Sequence, residues 1–365
     1  KAQKGERQLT SSQQYGILYQ DDYMELTGSK VVTVEKDFDI LKHVEAGDFV
    51  ISMRSFQGGL EYSTKSGAIS SAYVMLVPNL ELVYPRFYRW LLKSSVYIDA
   101  LQRTTSMVRD GQAMRYSNFA QVRLFTLPLD EQKSRADFLD LECSSIDKIL
   151  FKTRSSIEEY KKLKQAVITQ AATKGVRGER EMKDSGVEWI GKIPREFDSV
   201  QLKFFCKLIT DGTHFSPTTV ENGWPYITAG DVHGIGLDYN SAKRISEEDF
   251  QLLVAQGCQP LKGDVLLVKD GATTGRVGFV DSDTPCVILS SVAMLRPADN
   301  TDGHYLMYLL ASDFLQKQIL VSMAGSAMPR TTLTKLTKYI GLLPPLHEQK
   351  EIANYLDAKC AEIDK

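Results

Sequence analysis

No stretch of the 365 residues approaches 18 consecutive apolar positions, so no segment reads as a membrane-crossing helix. The opening residues, Lys1-Ala2-Gln3-Lys4-Gly5-Glu6-Arg7, contain no apolar run of the kind a secretory leader needs. They have the look of an internal start. Cysteine is sparse: five residues, an odd number, with no CxxC pair. That pattern argues against a disulfide framework and a structural zinc site, and for reduced thiols in a cytoplasmic protein. Charge of neither sign prevails. Lys and Arg number 44 against 46 Asp and Glu, a net charge of −2, which counts mildly against a nucleic-acid binder acting alone.

Catalytic signatures are also missing. Gly186-Val187-Glu188-Trp189-Ile190-Gly191-Lys192-Ile193 matches a phosphate-binding loop only as far as its Lys. Ile193 stands where Ser or Thr must hold Mg²⁺, and a polar linker precedes the segment where a strand is required. No G-x-G-x-x-G follows a strand pattern. Leu343-Pro344-Pro345-Leu346 lacks the Asn/Asp and the aromatic residue of the motif that holds a target amine in amino-methyltransferases. The five His (His43, His214, His233, His304, His347) show no metal-ligand spacing, and Asp264 with Lys269 lacks the acidic-x-Lys step of a Mg-dependent nuclease core. These absences point to a protein that binds and positions, and that catalyses nothing itself.

The remainder is ordinary in composition and unusual in arrangement. Apolar content of 43% and charged content of 25% belong to a globular chain, long enough for two or three domains. The chain is organised around Leu127–Gly175. Pro128 closes the preceding segment, Asp130 offers an N-cap, and no Pro or Gly follows until Gly175, which suits a helix stop. Ile146, Leu150, Thr153, Ile157 and Tyr160 recur at steps of four and three, and Leu163, Val167 and Ala171 continue the stripe. Such a narrow stripe needs a partner helix. About 43 helical residues at about 1.5 Å each would span about 65 Å.

The partner is a second copy of the same opening. Residues 344–365 repeat 127–148 at a constant offset of 217, with 12 of 22 positions identical. Pro345-Leu346-His347-Glu348-Gln349-Lys350 answers Pro128-Leu129-Asp130-Glu131-Gln132-Lys133. The globular stretches repeat as well. Residues 263–268 answer 47–52, 289–297 answer 69–78, 308–312 answer 90–94, and 325–328 answer 111–114. Within the first stretch, strands are expected over Lys30–Glu35, Asp48–Met53 and Ala72–Val77, an amphipathic helix over Phe87–Leu101, and a polar loop from Arg103 to Arg115. Lys1 aligns near residue 217. The first copy thus lacks a counterpart of the segment from Trp189 to Phe215, and the second helix stops early, as if the chain were cut at both ends. Between Lys148 and Lys183 ten basic residues face four acidic ones. That suits either a solvated flank or a face toward a polyanion.

This order resembles the specificity (S) subunit of type I restriction-modification systems. The features that carry the resemblance are the paired Pro-Leu-x-Glu-Gln-Lys segments at 128–133 and 345–350 and the helix end Gln165–Gly175. The segment Glu188–Pro194 and the run Asp270-Gly271-Ala272-Thr273-Thr274-Gly275 complete them. No one of these is decisive; their order, twice over, covers nearly the whole chain. The resemblance implies α/β (α+β) target recognition domains, duplicated, separated by long helices that form an antiparallel coiled coil. The parts would be a first recognition domain over 1–128, a central helix over 129–175, a linker over 176–187, a second recognition domain over 188–344, and the start of a second helix over 345–365.

The resemblance further implies a sequence-specific double-stranded DNA binder that reads a bipartite, asymmetric site, with the helices setting the gap. Two methyltransferase (M) subunits would bring S-adenosylmethionine, and restriction (R) subunits ATP and Mg. No cofactor or metal is expected in this chain. Arg, Lys, Thr, Ser and Gly loops suit base edges and phosphates. In the second recognition domain these are Thr213, His214, Lys269, Thr273, Thr274, Arg276 and Arg330. In the first they are Arg54, Ser55, Gln57, Arg103, Arg109, Gln112, Arg115 and Tyr116. Each of these types also suits an ordinary turn or a solvated surface. Gly271 and Gly275 suit turn geometry, and Ser70-Ser71 and Ser290-Ser291 suit strand starts. Two other readings stay open: a coiled-coil adaptor presenting two protein-binding heads, and a self-contained nuclease–methylase fusion, which the missing motifs disfavour.

Overall fold

The computed structural model describes residues 1–34, 38–52, 60–104, 116–233, 236–323 and 329–365, with only the backbone of Asn118. The chain divides into two compact units, Lys1–Lys152 and Thr153–Lys365, and the division falls within a single helix, Leu129–Lys174.

Unit 2 is built on an antiparallel sheet in the order Cys206–Asp211, Val292–Pro297, Val265–Val268, Val277–Phe279. The strand Val265–Val268 is apolar at every position because both faces are covered. Val265 and Leu267 point into a core with Tyr305, Leu309 and Phe314 of the helices Gly303–Ala311 and Asp313–Ser322. Leu266 and Val268 point the other way, against Ile227, Val280 and Ile288. A second four-stranded sheet supplies part of that layer, with Trp224–Ile227 pairing parallel to Val287–Ile288.

Unit 1 repeats the central part of this plan. Phe49–Ser52 lies between Glu61–Tyr62 and Tyr73–Leu76. The registers correspond: Phe49 faces Leu76 as Val265 faces Leu295, and Ser52 faces Tyr73 as Val268 faces Val292. The turn before the strand is the same. Gly47 and Gly263 hold φ of 111° and 93°, and the next residues, Asp48 and Asp264, accept the backbone N–H of Glu45 and Leu261 at 3.0 and 2.8 Å.

The repeated Glu-Gln pair has a clear task. Gln132 is fully buried; its Oε1 accepts the N–H of Tyr84 at 2.7 Å, and its Nε2 donates to the carbonyls of Leu82 and Leu127 at 2.9 and 2.7 Å. Gln349 does the same with Asp302, Asn300 and Pro344 at 2.8, 2.9 and 2.8 Å. Each amide thus ties the start of its helix to the start of the preceding globular helix, whose first N–H groups have no partner in their own turn. A second repeated contact lies two turns on. Asp140 accepts from Trp90 Nε1 at 2.7 Å and from Arg86 and Arg89, and Asp357 accepts from Tyr308 Oη at 2.8 Å and contacts His304 at 3.1 Å. Burial raises the Asp140 pKa, but the donors Arg86, Trp90 and Arg89 outweigh it and leave the carboxyl below its ordinary value.

In unit 2 the end of the long helix meets the last helix, Leu346–Ile363, antiparallel. Lys164 pairs with Asp364 at 2.6 Å, and Arg177, thirteen residues later, pairs with Glu351 at 2.8 Å. Ile168, Ala171 and Ala172 pack with Ile352, Leu356 and Cys360 between those pairs. Gly175 ends the helix at φ 73°. A Cβ there would meet Arg180 and buried Glu348, which pair at 2.6 Å, so glycine is required for space as well as for backbone.

Several expectations change. The long helix begins at Leu129, so Asp130 lies in its first turn and Pro128 precedes it, accepting Gln132 N at 3.0 Å. Residues 30–34 form no strand. The side-chain amide of Gln8 pairs with both backbone groups of Val34, at 2.9 and 2.7 Å, and so takes the place of a ladder. Phe87–Leu101 is two helices, Pro85–Leu91 and Ser95–Arg103. Ser94 breaks them by accepting Tyr97 N and donating to Leu91 O, and this turns Val96 outward and Tyr97 inward. The end of the charged linker is structured, because Met182–Asp184 pairs with Lys192–Pro194. Along the long helix Ile146, Leu150, Ile157, Tyr160 and Leu163 stand about half exposed; the last helix covers only the stripe's final turns.

Two predictions follow from these contacts. Gln349→Leu strands three backbone groups, at a cost of about 2–4 kcal/mol. Urea unfolding at fixed temperature measures it, and a loss below about 0.5 kcal/mol would contradict the clamp. In unit 1, His43 lies between Glu6 at 2.8 Å and Glu45 at 2.9 Å, and hydrogen bonds to these two raise its pKa. Its contribution is therefore full below the unfolded value of about 6.5 and fades as pH rises through the raised folded value. The melting difference between wild type and His43→Gln should be larger at acidic than at alkaline pH; the reverse order would contradict the assignment.

Candidate nucleic-acid interface

Cys206–Asp211 and Val265–Val268 both run antiparallel to Val292–Pro297, so they run parallel to each other and end at one edge of the sheet. Three loops leave that edge. Residues 212–215 follow the first strand and 269–276 the second. The segment 329–331 reaches them from further along the chain, through an isolated bridge between Asp270 and Arg330. Gly271 N donates to Pro329 O and Thr331 N to Lys269 O, both at 2.9 Å. Glycine is forced at Gly212, where a Cβ would lie 2.0 Å from Ile288 O, and at Gly271, whose φ is 97°.

An ionic chain crosses these loops. Lys269 is only 2% exposed. Its ammonium lies 2.6 Å from Asp270 and 3.3 Å from Asp211. The outer side of each carboxylate faces a second basic side chain: Arg330 Nε is 2.9 Å from Asp270 Oδ1, and His214 Nε2 is 3.8 Å from Asp211. A buried ammonium is costly unless paired, and two carboxylates pair it here. Lys269, Arg276 and Arg330 stand against Asp211 and Asp270, so these residues carry an excess of one positive charge although the chain does not.

All seven residues anticipated in the second globular stretch lie on these loops. His214, Arg276 and Arg330 are exposed. Thr273 and Thr274 are half-buried; Thr274 Oγ1 donates to Gly271 O at 2.7 Å and lies 3.2 Å from Pro329 O. Thr213 and Lys269 are buried and shape the loops from within; Thr213 Oγ1 accepts Phe215 N at 2.9 Å. Sequence reasoning missed Asp211 and Asp270, which hold the cations in place, and exposed Phe215. The adjacency of Asp270 to Lys269 was the available signal. In unit 1, Arg103 is exposed in the last turn of Ser95–Arg103, and Tyr116 is exposed at the start of Tyr116–Phe119. Arg54, Ser55, Gln57, Arg109, Gln112 and Arg115 lie outside the described residues. Among the described residues no group of three or more His, Cys, Asp or Glu could hold a metal ion, and no helix is long and apolar enough to cross a membrane.

Residues 194–365 match the family of the type I restriction modification DNA specificity domain. Over 326 residues the chain is 25% identical to the type I restriction enzyme MjaVIII specificity subunit of Methanocaldococcus jannaschii, covering 86% of this chain and 72% of that one. Over 283 residues it is 24% identical to the EcoBI specificity subunit of Escherichia coli, covering 73% and 57%. A chain from a structure describing complex assembly and conformational transition of the type I R-M system shares the fold. The TM-score is 0.65 at 19% identity, over 88% of this chain and 76% of that one. The resemblance drawn from the repeated segments therefore holds in family match, in named relatives and in fold.

Proposed function

We propose that this chain, which carries the type I restriction modification DNA specificity domain over residues 194–365, is a non-catalytic specificity subunit that reads a two-part, asymmetric site in double-stranded DNA. One part of the site belongs to each globular stretch, 1–128 and 188–344, and the helices between them set the gap. Methyltransferase subunits, two for each copy of this chain, dock on the helical regions with S-adenosylmethionine. Restriction subunits join with ATP and Mg, and the assembly works in the cytoplasm. The observation that carries the reading is the repetition of the central part of a unit, down to the Gln132 and Gln349 clamps, with loops carrying Lys269, Arg276 and Arg330 at one end of the sheet in unit 2. A shared frame with divergent loops is what two heads reading different sequences require. Phosphate contacts would be shared with the methyltransferase subunits, which reconciles the function with a net charge of −2.

The half-exposed apolar residues of the long helix would equally suit an adaptor whose partners are all proteins. The two readings separate on DNA. A random-sequence duplex pool is titrated with the chain, with and without its methyltransferase partner, and the bound fraction is sequenced. A motif in two blocks with a fixed gap, appearing or sharpening with the partner, is the expected result. No enrichment in either arm, with binding that barely responds to salt, would reject the specificity reading in favour of the adaptor.

A further inference from the structure

Lys269 lies between Asp211 and Asp270, and Arg330 Nε is 2.9 Å from Asp270. Arg276, the third cation of these loops, is exposed, and among the described residues its guanidinium has no hydrogen-bond or ionic partner. Its backbone, in contrast, is held on both sides. Arg276 N–H donates to Thr273 O at 3.1 Å, and Arg276 O accepts Val268 N–H at 2.8 Å. The next residue, Val277, already pairs with Leu267 in the sheet. The carbonyl of Gly275, at the other end of the peptide unit that enters Arg276, accepts Gln316 Nε2 at 2.8 Å. Both ends of that peptide plane are thus fixed, and with the plane that follows they set the direction in which the side chain leaves the backbone.

Gln316 is itself anchored. It belongs to the helix Asp313–Ser322, where its N–H donates to Ser312 O at 2.9 Å. Its side-chain amide donates a second time, to Leu310 O at 2.7 Å, so one NH₂ group joins the loop to the end of the helix Gly303–Ala311. Gly275 leaves room for it: its φ is 98°, and a Cβ there would lie 2.5 Å from Gln316 Oε1. The same junction between the two helices is tied to the long helix. Asp313 N–H donates to Thr169 Oγ1 at 2.9 Å, and Gln165 Nε2 donates to Ala311 O at 2.7 Å. A run of hydrogen bonds therefore leads from the long helix to the backbone of Arg276. A loop fixed in this way before binding need not be ordered during it.

Gln316 is not part of the repeated frame. Ser94 answers Ser312, and the helices that follow bury Tyr97 and Leu101 where Leu315 and Ile319 are buried. At the position of Gln316, unit 1 has Ile98. Gln132 and Gln349, which serve the frame, stand in both units. An amide carried by unit 2 alone serves something particular to unit 2, and what it holds is the loop of Arg276. We infer that Gln316 is a positioning residue for DNA recognition: it holds the Gly275–Arg276 peptide so that Arg276 meets DNA from a fixed root. The inference rests on the DNA-reading function proposed above. Gln316 acts through Arg276 and needs no DNA contact of its own.

The test is a double-mutant cycle on the full chain with its methyltransferase partner. A duplex selected by the wild-type complex from a random pool is titrated with wild type, Gln316→Met, Arg276→Ala and the double variant, and the melting temperature of each protein is measured. Methionine has the length of glutamine without its donors. Arg276→Ala should weaken binding to the selected duplex by roughly 10-fold or more. Gln316→Met should weaken it by about 3- to 10-fold in the wild-type background. In the Arg276→Ala background its effect should fall below about twofold, because the contact it positions is gone. Its effect on the melting temperature should be the same in both backgrounds. Gln316→Glu, which sets an acceptor against the two carbonyls at nearly the same shape, should show the same dependence on Arg276 and stands in where Gln316→Met does not fold.

An effect of the Gln316 variants on DNA binding that is equal with and without Arg276 would overturn the inference, since the amide would then be holding the domain and not the arginine. So would Gln316 variants that bind the selected duplex as wild type does, or an Arg276→Ala variant that does. Each of these leaves the proposed function standing as long as wild type selects a motif in two blocks. A wild-type complex that selects no motif would overturn both the function and the inference.

Discussion

A buried side-chain amide at the first turn of each long helix is the contact on which the architecture depends. Gln132 and Gln349 each satisfy one backbone N–H and two carbonyls that neither helix nor sheet can reach. Helix starts leave such groups bare, and buried bare groups are costly. The amide can serve all three because it is both donor and acceptor, a combination no charged or aliphatic side chain of that length offers. The clamp sets the direction in which each helix leaves its globular core. Asp140 and Asp357, two turns on, hold that direction with donors from the same globular helix.

The edge of unit 2 obeys a different economy. Replacing Lys269, Asp211 and Asp270 by apolar residues of similar size would spare the desolvation of three charges. The fold nevertheless brings them together at the ends of two parallel strands, where a backbone bridge between Asp270 and Arg330 joins two of the loops. The Lys269 ammonium is thereby paired between two carboxylates, and the loops that carry them are tied together at one end of the sheet, apart from the core to which Val265 and Leu267 belong.

What could be read in advance depended on how local the cause was. The helix repeat was legible because its offset of 217 holds from residue 127 to 148 and because Pro, Leu, Glu, Gln and Lys fall at identical positions. The strands Phe49–Ser52 and Tyr73–Leu76 and the glycine stop at Gly175 were legible for the same reason, since spacing and a single residue type decide them. The purpose of the Gln was not legible, because two of its three partners lie about fifty residues upstream. Residues 30–34 misled because Gln8 supplies from a distance the hydrogen bonds that a strand partner would have given. Ser94 misled because one hydroxyl outweighs an apolar rhythm. At the candidate interface, the positions named in unit 2 fall on loops that the fold gathers at one end of the sheet. The division into exposed His214, Arg276 and Arg330 and buried Lys269 required the fold, as did the part played by Asp211 and Asp270.

The central claim is that two related heads on a common frame touch DNA in two separate places. Hydroxyl-radical footprinting of the assembled complex on a selected duplex measures this directly. The account predicts two protected blocks with an unprotected gap between them, of fixed length from one selected duplex to the next. One continuous block of protection, a gap that varies among selected duplexes, or no protection would contradict it.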